Sequence, residues 1–576
     1  MRNKVDMSLP IDELFLDPWQ DGGFALLSAP QFYWRTKDGG VIEGFSVSAY
    51  PEIEAKTTAV VDAIQRHRNL STTIEYESVP VLIQPASFRK SMVMVNRRLF
   101  LSGAAGTRAI NTWRRANEDA GNDIETELAA YFERCQQENA KTELPVVDRM
   151  PDPETPFVIE CRNTFNYFHF VTESLCQLAL LERTNLTGEI FFHFPNREDK
   201  TRPFVEDFVK ELFPEIFSRV RFERVPKEYD QAVTAYDLLS LYPFASETLY
   251  ADLRQQVKPG ILDKGVNSDI ANWRIVSGNG YSTVLSALRD RALRLVEGRD
   301  FGPLPKRFFV GRDDRHSRAR PMAGQDRLFE HLALFGFEHV VFENLSPLEQ
   351  IALMAQAEIV VMPHGAGLTN MMFAPPSACV IELGTLQTAQ HRWDDFWPLA
   401  HLARCRFVSF FADFNTDTPL QEPDFQTDGI VPVALSDSAV AQIMAFVVSI
   451  MGHIPEISAP DILLRLVERI AAVESPDAAL ALLDAHDALV VADADLSLLR
   501  ADCHKALDQP KSELVALDQS FKADRSRWQT LIRIIWCANR CDRPQVIRWA
   551  RSQLEREFPD RYAAFVGNHD WVRYVV

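Results

Sequence analysis

From Phe157 onward the apolar positions of this chain switch repeatedly between two periods. Short apolar runs of strand length sit at Phe157–Glu160, Glu189–Phe194 and Arg219–Val225. Between them, Tyr167–Arg183 and Pro203–Leu212 carry apolar residues three and four apart, the spacing of one helix face. A longer helical stretch over residues 282–297 bridges to a second series of the same kind. That series reads strand at Arg307–Gly311, helix at Gln325–Phe335 ended by Gly336, and strand at His339–Phe342. Ser346-Pro347-Leu348-Glu349 has the form of a capping box with proline at the first helical position, so a helix is expected from there to about Gln356. Ile359–Met362, Ala378–Leu383 and Arg406–Phe411 complete the series as strands. Strands alternating with helices predict parallel sheets covered by helices on both faces, so the fold class is α/β.

The flanks follow other patterns. Residues 31–48 alternate around Lys37-Asp38-Gly39-Gly40, which predicts a hairpin. Val79–Ile83 and Met92–Phe100 read as strands and Asn122–Asn139 as an amphipathic helix, which makes residues 1–150 a β-rich region. The proline-rich stretch from Pro145 to Pro156 reads as a connector. From Ala459 the spacing is helical throughout, with breaks at Ser475-Pro476, Asp508-Gln509-Pro510 and Pro559. Two arrangements fit that tail: helical-hairpin repeats of the tetratricopeptide kind, which would offer a surface to a protein partner, or a plain bundle packed on the preceding lobe. The expected domains are thus 1–150, a first Rossmann-like lobe over 151–298, a second over 299–455, and a helical region over 456–576.

The most informative local pattern is Val360 to Leu383, VVMPHGAGLTNMMFAPPSACVIEL. An apolar strand ends at Pro363-His364-Gly365-Ala366-Gly367. A helix with Leu368, Met371 and Met372 at core spacing starts at once, and a second strand closes on Glu382. A strand, a glycine turn and a helix bring free backbone N–H groups to one point, where a phosphate can be held. The segment lacks GxxxxGK[ST] and GxGxxG, so neither a P-loop nor a dinucleotide fingerprint is present.

Composition mainly excludes. A chain of 576 residues is too long for one core, and 46% hydrophobic residues suit packed domains. A formal net charge of -19 argues against a nucleic-acid partner and against general adhesion to anionic membranes. The N-terminus MRNKVDMSLPIDELF has no apolar stretch of signal-peptide length, and no window reaches spanning length. A cytoplasmic protein, or one peripheral at the inner membrane, is therefore expected. The 8 cysteines are scattered without a CxxC pair, and Cys537 and Cys541 lack neighbouring ligands, so reduced core thiols rather than zinc are expected.

Three segments together resemble the family 61 glycosyltransferases: NTFNYFHFVTESLCQLALLER from Asn163, FFVGRDDRHSRAR from Phe308, and LSPLEQIALMAQAEIVVMPHGAGLTNMMFAPPSACVIEL from Leu345. Members include plant xylosyl- and arabinosyltransferases, animal protein O-GlcNAc transferases of the secretory pathway, and bacterial enzymes of surface-polysaccharide synthesis. The resemblance covers roughly Phe157 to Leu386. It implies an inverting, nucleotide-sugar-dependent transferase of the two-lobed GT-B fold, with no resident cofactor and a UDP-linked donor as first candidate. The lack of a leader points to the bacterial branch, so the acceptor expected is a glycan or glycolipid, a surface polysaccharide or its precursor. The rival reading is a non-catalytic scaffold that binds nucleotide or a partner on the same fold.

The resemblance also assigns residues. Sugar transfer to a hydroxyl needs one general base. The family pattern N-x-x-H-x-x-x-[DE] falls here on Asn166, His169 and Glu173, with Glu where several relatives have Asp. His169 and Glu173 share a helix face, at the carboxyl edge of a sheet where α/β sites form. Glu173 is read as the base and His169 as the imidazole that tunes or orients it; the bland alternative is a core contact for His169 and a solvent-facing Glu173. Arg312, leaving the strand FFVG, would pair with a diphosphate, and Arg318 or Arg320 would be the second arginine unless both belong to an exposed basic loop. Gly311 stands where the family commonly has Ser, which removes one hydroxyl donor. His364 would donate to the β-phosphate or a sugar hydroxyl, and Gly365, Ala366 and Gly367 would supply backbone donors. Thr369 and Asn370 would either add side-chain donors or cap the helix. Glu382 would accept ribose hydroxyls or pair with a local arginine. Asp493-Ala494-Asp495 imitates a DxD metal motif but falls in the helical tail, and Asp313-Asp314 reads as an ion-pair loop, so no metal is expected.

Overall fold

A computed structural model describes residues 5–67, 71–89, 92–117, 124–139, 143–161, 166–195, 203–246, 278–311, 321–451, 460–471 and 476–575. Packing divides the chain into two units: Met1–Phe45 with Ala55–Ala319 and Val340–Phe411, and Ser46–Glu54 with Arg320–His339 and Ala412–Val576.

The first unit holds two large sheets. In one, Phe157–Glu160, Ile190–His193 and Val220–Glu223 run parallel, and Ala232–Asp237 joins Phe157–Glu160 from the other side in the same direction. Ser78–Ile83 and Phe24–Leu26 extend this sheet antiparallel. In the other, Arg307–Val310, Ile359–Pro363 and Cys379–Thr385 run parallel, with Val360 opposite Phe308 and Val380. Arg406–Phe414 follows in the sheet order and pairs with Val41–Ser46. Both central strands are buried along nearly their whole length, as sheets covered on both faces require. One contiguous core joins Phe157, Ile159 and Phe170 to Val360, Met362, Leu368, Trp393 and Trp397.

The strand and helix expectations over 157–411 match the structure to within a few residues. The capping box at Ser346 forms both its reciprocal bonds. The helix expected over Tyr167–Arg183 is instead three pieces: an α turn at Tyr167–His169, a π turn at Phe170–Ser174 and a 3-10 stretch at Leu175–Arg183. The helix after the glycine turn, Ala366–Phe373, is 3-10, with Leu368, Met371 and Met372 fully buried as their spacing implies.

The hairpin expected around Lys37-Asp38-Gly39-Gly40 does not form. Trp34–Asp38 pairs with Thr72–Tyr76, and Val41–Ser46 with Arg406–Phe414. The two glycines are there for close approach: a Cβ on Gly39 would lie 2.2 Å from His401 Nδ1, and one on Gly40 2.2 Å from the Cys405 carbonyl oxygen. The strand expected over Met92–Phe100 is itself a hairpin, Met92–Val95 and Arg98–Leu99, turning through Asn96 and Arg97 at φ 47° and 69°.

In the second unit, Val433 and Ala434 pair antiparallel with Phe414 and Asp413. Arg327, on the helix Gln325–Leu334, bonds Asp437 at the start of Asp437–Ile450. The tail is helical as expected. Pro460, Pro476, Pro510, Pro544 and Pro559 each open a helix, where a missing N–H costs nothing. All 8 cysteines are free thiols and only Cys541 is partly exposed. Among the described residues, no helix is long and apolar enough to cross a membrane.

Candidate active site

The strand Phe157–Glu160 ends at Cys161, and the described chain resumes at Asn166, which caps the next turn by accepting from the His169 amide at 3.5 Å. The helix then leaves α geometry. Thr172 Oγ1, Cys176 Sγ and Gln177 Nε2 each donate to the carbonyl four residues back, at 2.8, 3.1 and 2.7 Å. Such side-chain donation competes with the backbone ladder and bends helices, and π turns recur at functional sites. On this turn His169 Nδ1 and Glu173 Oε1 meet at 2.7 Å, with the side chains 19% and 24% exposed. Glu173 Oε2 is buried. The imidazole therefore holds one carboxylate oxygen through Nδ1, and its Nε2 lies on the opposite edge of the ring.

A second imidazole–carboxylate pair lies at the carboxyl edge of the other sheet. His364 follows the strand Ile359–Pro363, and its amide is tied to the Leu383 carbonyl at 2.9 Å. Its Nδ1 meets Glu382 Oε1 at 2.5 Å, and Ser409 Oγ donates to Glu382 Oε2 at 2.5 Å. The pair is nearly sealed, at 6% and 1% exposure. A carboxylate on Nδ1 fixes that nitrogen as the donor. Immediately after His364, the amides of Ala366 and Gly367 open the 3-10 helix and have no acceptor within it.

Phe396 brings the two pairs to one place. Its ring packs edge-on against Phe168 and against His364, both at 5.4 Å between centroids, and Phe168 meets His169 at 5.3 Å. Asp395, the preceding residue, lies 3.4 Å from Arg392 Nη1. Burial pushes the Asp395 carboxyl up from its ordinary value. Arg392 opposes that rise, Asp394 adds to it, and His364 and His169 both oppose it. Both imidazoles are therefore within electrostatic reach of one carboxylate.

The structure thus brings Asn166, His169, Glu173, His364, Gly365, Ala366 and Gly367 to the carboxyl edges of the two sheets. It places three expected site residues differently. Glu382 is mid-strand, in Cys379–Thr385, and both its oxygens are occupied by His364 and Ser409 rather than presented to a ribose or paired with an arginine. Thr369 and Asn370 are fully buried. Asn370 bonds Tyr167 and Gln350, so it neither caps the turn nor faces a ligand, and Thr369 Oγ1 has no bonding partner among the described residues. Arg312, Arg318 and Arg320, with Asp313 and Asp314, lie outside the described residues. The DxD look-alike is a cap: Asp493 accepts from the amides of Asp495 and Leu496, and Asp495 pairs with Arg527.

The sequence did not single out Ser409, Arg392 or Phe396. Ser409 carried a usable signal: a hydroxyl between Val408 and Phe410 in a strand buried along its length must find a partner inside. Asp395 and Phe396 carried none, because their place depends on how the loop folds back.

Residues 167–381 match the family model Glycosyltransferase 61. That span holds the His169–Glu173 pair, His364 and the glycine turn, and stops one residue short of Glu382. A stretch of 115 residues, 19% of this chain, is 26% identical to the EGF domain-specific O-linked N-acetylglucosamine transferase of Drosophila melanogaster. The similarity spans 22% of that protein's length. These matches support a glycosyltransferase domain in this part of the chain.

Proposed function

We propose that this chain is an inverting glycosyltransferase that moves a sugar from a nucleotide-sugar donor to a hydroxyl group without a metal ion. The observation that carries the reading is the pairing of His169 with Glu173 and of His364 with Glu382, both within electrostatic reach of Asp395, with His169, Glu173 and His364 inside the matched region. The acceptor oxygen attacks C1 of the sugar from the side opposite the diphosphate. A C1–O bond forms, the C1–O(phosphate) bond breaks, and the hydroxyl proton moves to a base. His169 Nε2 suits that base best. Glu173 spends Oε1 on the imidazole and has Oε2 buried, so it orients the ring. The diphosphate charge is met by the amides of Ala366 and Gly367, by His364 as the imidazolium, and by Arg312, which follows Arg307–Val310 in sequence. A UDP-linked donor is the first candidate, with N-acetylglucosamine suggested by the similar enzyme. A glycan of the cell envelope is the proposed acceptor and the two-lobed GT-B arrangement the proposed frame.

The test is a thermal-shift screen of UDP, GDP and CMP, followed by transfer assays with the sugars of whichever nucleotide binds. Nucleotide binding with transfer or donor hydrolysis supports the enzyme. Binding with neither, across donors and acceptors, would leave a scaffold.

A further inference from the structure

The first helical residue after Asn166, Tyr167, is tied to the glycine turn through side chains. Tyr167 Oη donates to Asn370 Oδ1 at 2.5 Å. Asn370, in the turn's 3-10 helix, donates through Nδ2 to Gln350 Oε1 at 3.0 Å. Gln350 in turn donates through Nε2 to the carbonyls of Phe342 and Leu345, both at 3.0 Å. Asn370 is 0% exposed and Gln350 8%, so water does not replace these bonds cheaply. The far end of the turn's helix is also held: Arg289 donates to the carbonyls of Met372 and Ala374 at 2.7 and 3.1 Å. The Tyr167 ring is fixed by Phe204 and Phe208, at 5.6 and 5.2 Å. Tyr167 thus stands two residues before His169, on the turn that precedes the π turn carrying Glu173, and its hydroxyl ends on the helix that opens with the Ala366 and Gly367 amides.

We infer that Tyr167 is a positioning residue that couples the donor turn to the His169–Glu173 pair through Asn370 and Gln350. Nucleotide seated on the amides of Ala366 and Gly367 steadies their helix, and the chain of bonds carries that order to the base. The coupling rests on the donor-site reading of the glycine turn. It ties an ordered base to an occupied donor site, so its loss should lower transfer and raise the share of donor hydrolysis.

Tyr167→Phe removes only the hydroxyl and keeps the ring against Phe204 and Phe208. UDP is the probe, with GDP and CMP in parallel. In the parent, saturating UDP should slow hydrogen exchange of the amides over residues 167–176. In Tyr167→Phe, UDP should bind within about twofold of the parent while that protection is lost. Transfer kcat should fall about tenfold with donor KM nearly unchanged, and hydrolysis should rise as a share of turnover. A merely structural bond would lower the melting temperature without moving that share. Gln350→Met breaks the chain one link further on and should uncouple in the same direction, so an unfolded Tyr167→Phe does not end the test. UDP binding to the parent without protection of residues 167–176, or a Tyr167→Phe protein that keeps both protection and kcat, overturns the coupling while leaving the donor site standing. Failure of all three nucleotides to bind the parent overturns the donor site, and the coupling with it.

Discussion

His169→Asn separates the two ways the imidazole–carboxylate pair can work. The asparagine amide nitrogen takes the place of Nδ1, so the bond to Glu173 Oε1, now 2.7 Å, can persist. Nε2 and its proton-accepting capacity are gone. The folding cost is small: the lost contact is an edge-on ring pair with Phe168 at 5.3 Å, about 1 kcal/mol for such a pair. That leaves a protein of ordinary stability folded. If His169 Nε2 takes the acceptor's proton, kcat should fall by about 10²–10⁴. At about 1.36 kcal/mol per tenfold this is roughly 2.7–5.4 kcal/mol, well beyond the stability cost. Nucleotide affinity should stay within about threefold, because the proposed donor contacts lie on the glycine turn. The assay is initial transfer rate at saturating donor, with the melting temperature as a check on folding. A variant that keeps more than about a tenth of kcat would refute the role division and pass the proton directly to Glu173. In that case Glu173→Gln alone should abolish transfer while donor binding survives.

Three other outcomes are expected. The nucleotide that fits the turn, at about 100 times its Kd, should add roughly 2.7 kcal/mol of stability, read as a rise in melting temperature; no shift with any nucleotide counts against the site. Transfer should survive EDTA, since the proposed counter-charges are amides, His364 and Arg312; complete loss restored by Mn²⁺ or Mg²⁺ overturns that. His401 is fully buried, and burial lowers its pKa to about 4. Its folded value thus lies below the unfolded one, near 6.5, so the unfolded chain binds more protons between the two and stability falls as pH drops through that window. Between pH 7.5 and 5.5 this should cost about 1 kcal/mol, measured as a shift in urea midpoint. His401→Leu should flatten that slope and, having no unpaired ring nitrogens to bury, stay within about 1 kcal/mol of the parent at pH 7.5.

Strand positions were legible because burial on both faces leaves near-continuous apolar runs, as at Ile359–Pro363. Pairing was not. Lys37-Asp38-Gly39-Gly40 has the composition of a hairpin, yet the glycines serve contacts with His401 and Cys405, over 360 residues away in sequence. The Asn96-Arg97 turn was hidden because arginine rarely takes positive φ. At the site, spacing placed His169 beside Glu173, since four residues on a helix are neighbours whatever the fold. It could not show the π turn, around which Thr172, Cys176 and Gln177 donate to the carbonyls four residues back. Nor could it place Glu382, because a strand read as ending there runs on to Thr385 and turns the carboxylate toward His364.

The two imidazole–carboxylate pairs differ most in their access to solvent, and that difference bears on their roles. A proton acceptor in sugar transfer must meet an incoming hydroxyl and later release its proton to water, so it cannot be sealed. The His169–Glu173 pair, about a fifth exposed, meets that need. The His364–Glu382 pair, at 6% and 1%, does not. A group that instead holds a developing negative charge gains from being dry, because its field is weakened less and its geometry is set in advance. Glu382 is locked on both oxygens and holds the ring at one angle. Serine at position 409 is then more than filler in a strand. Ser409→Ala should free one oxygen of Glu382 inside an apolar sheet, loosen His364, and weaken nucleotide binding more than it alters the proton transfer at His169. Titration calorimetry with the bound nucleotide, set beside kcat, reads the two effects separately; a Ser409→Ala protein with parental affinity would show that Glu382 orients His364 unaided.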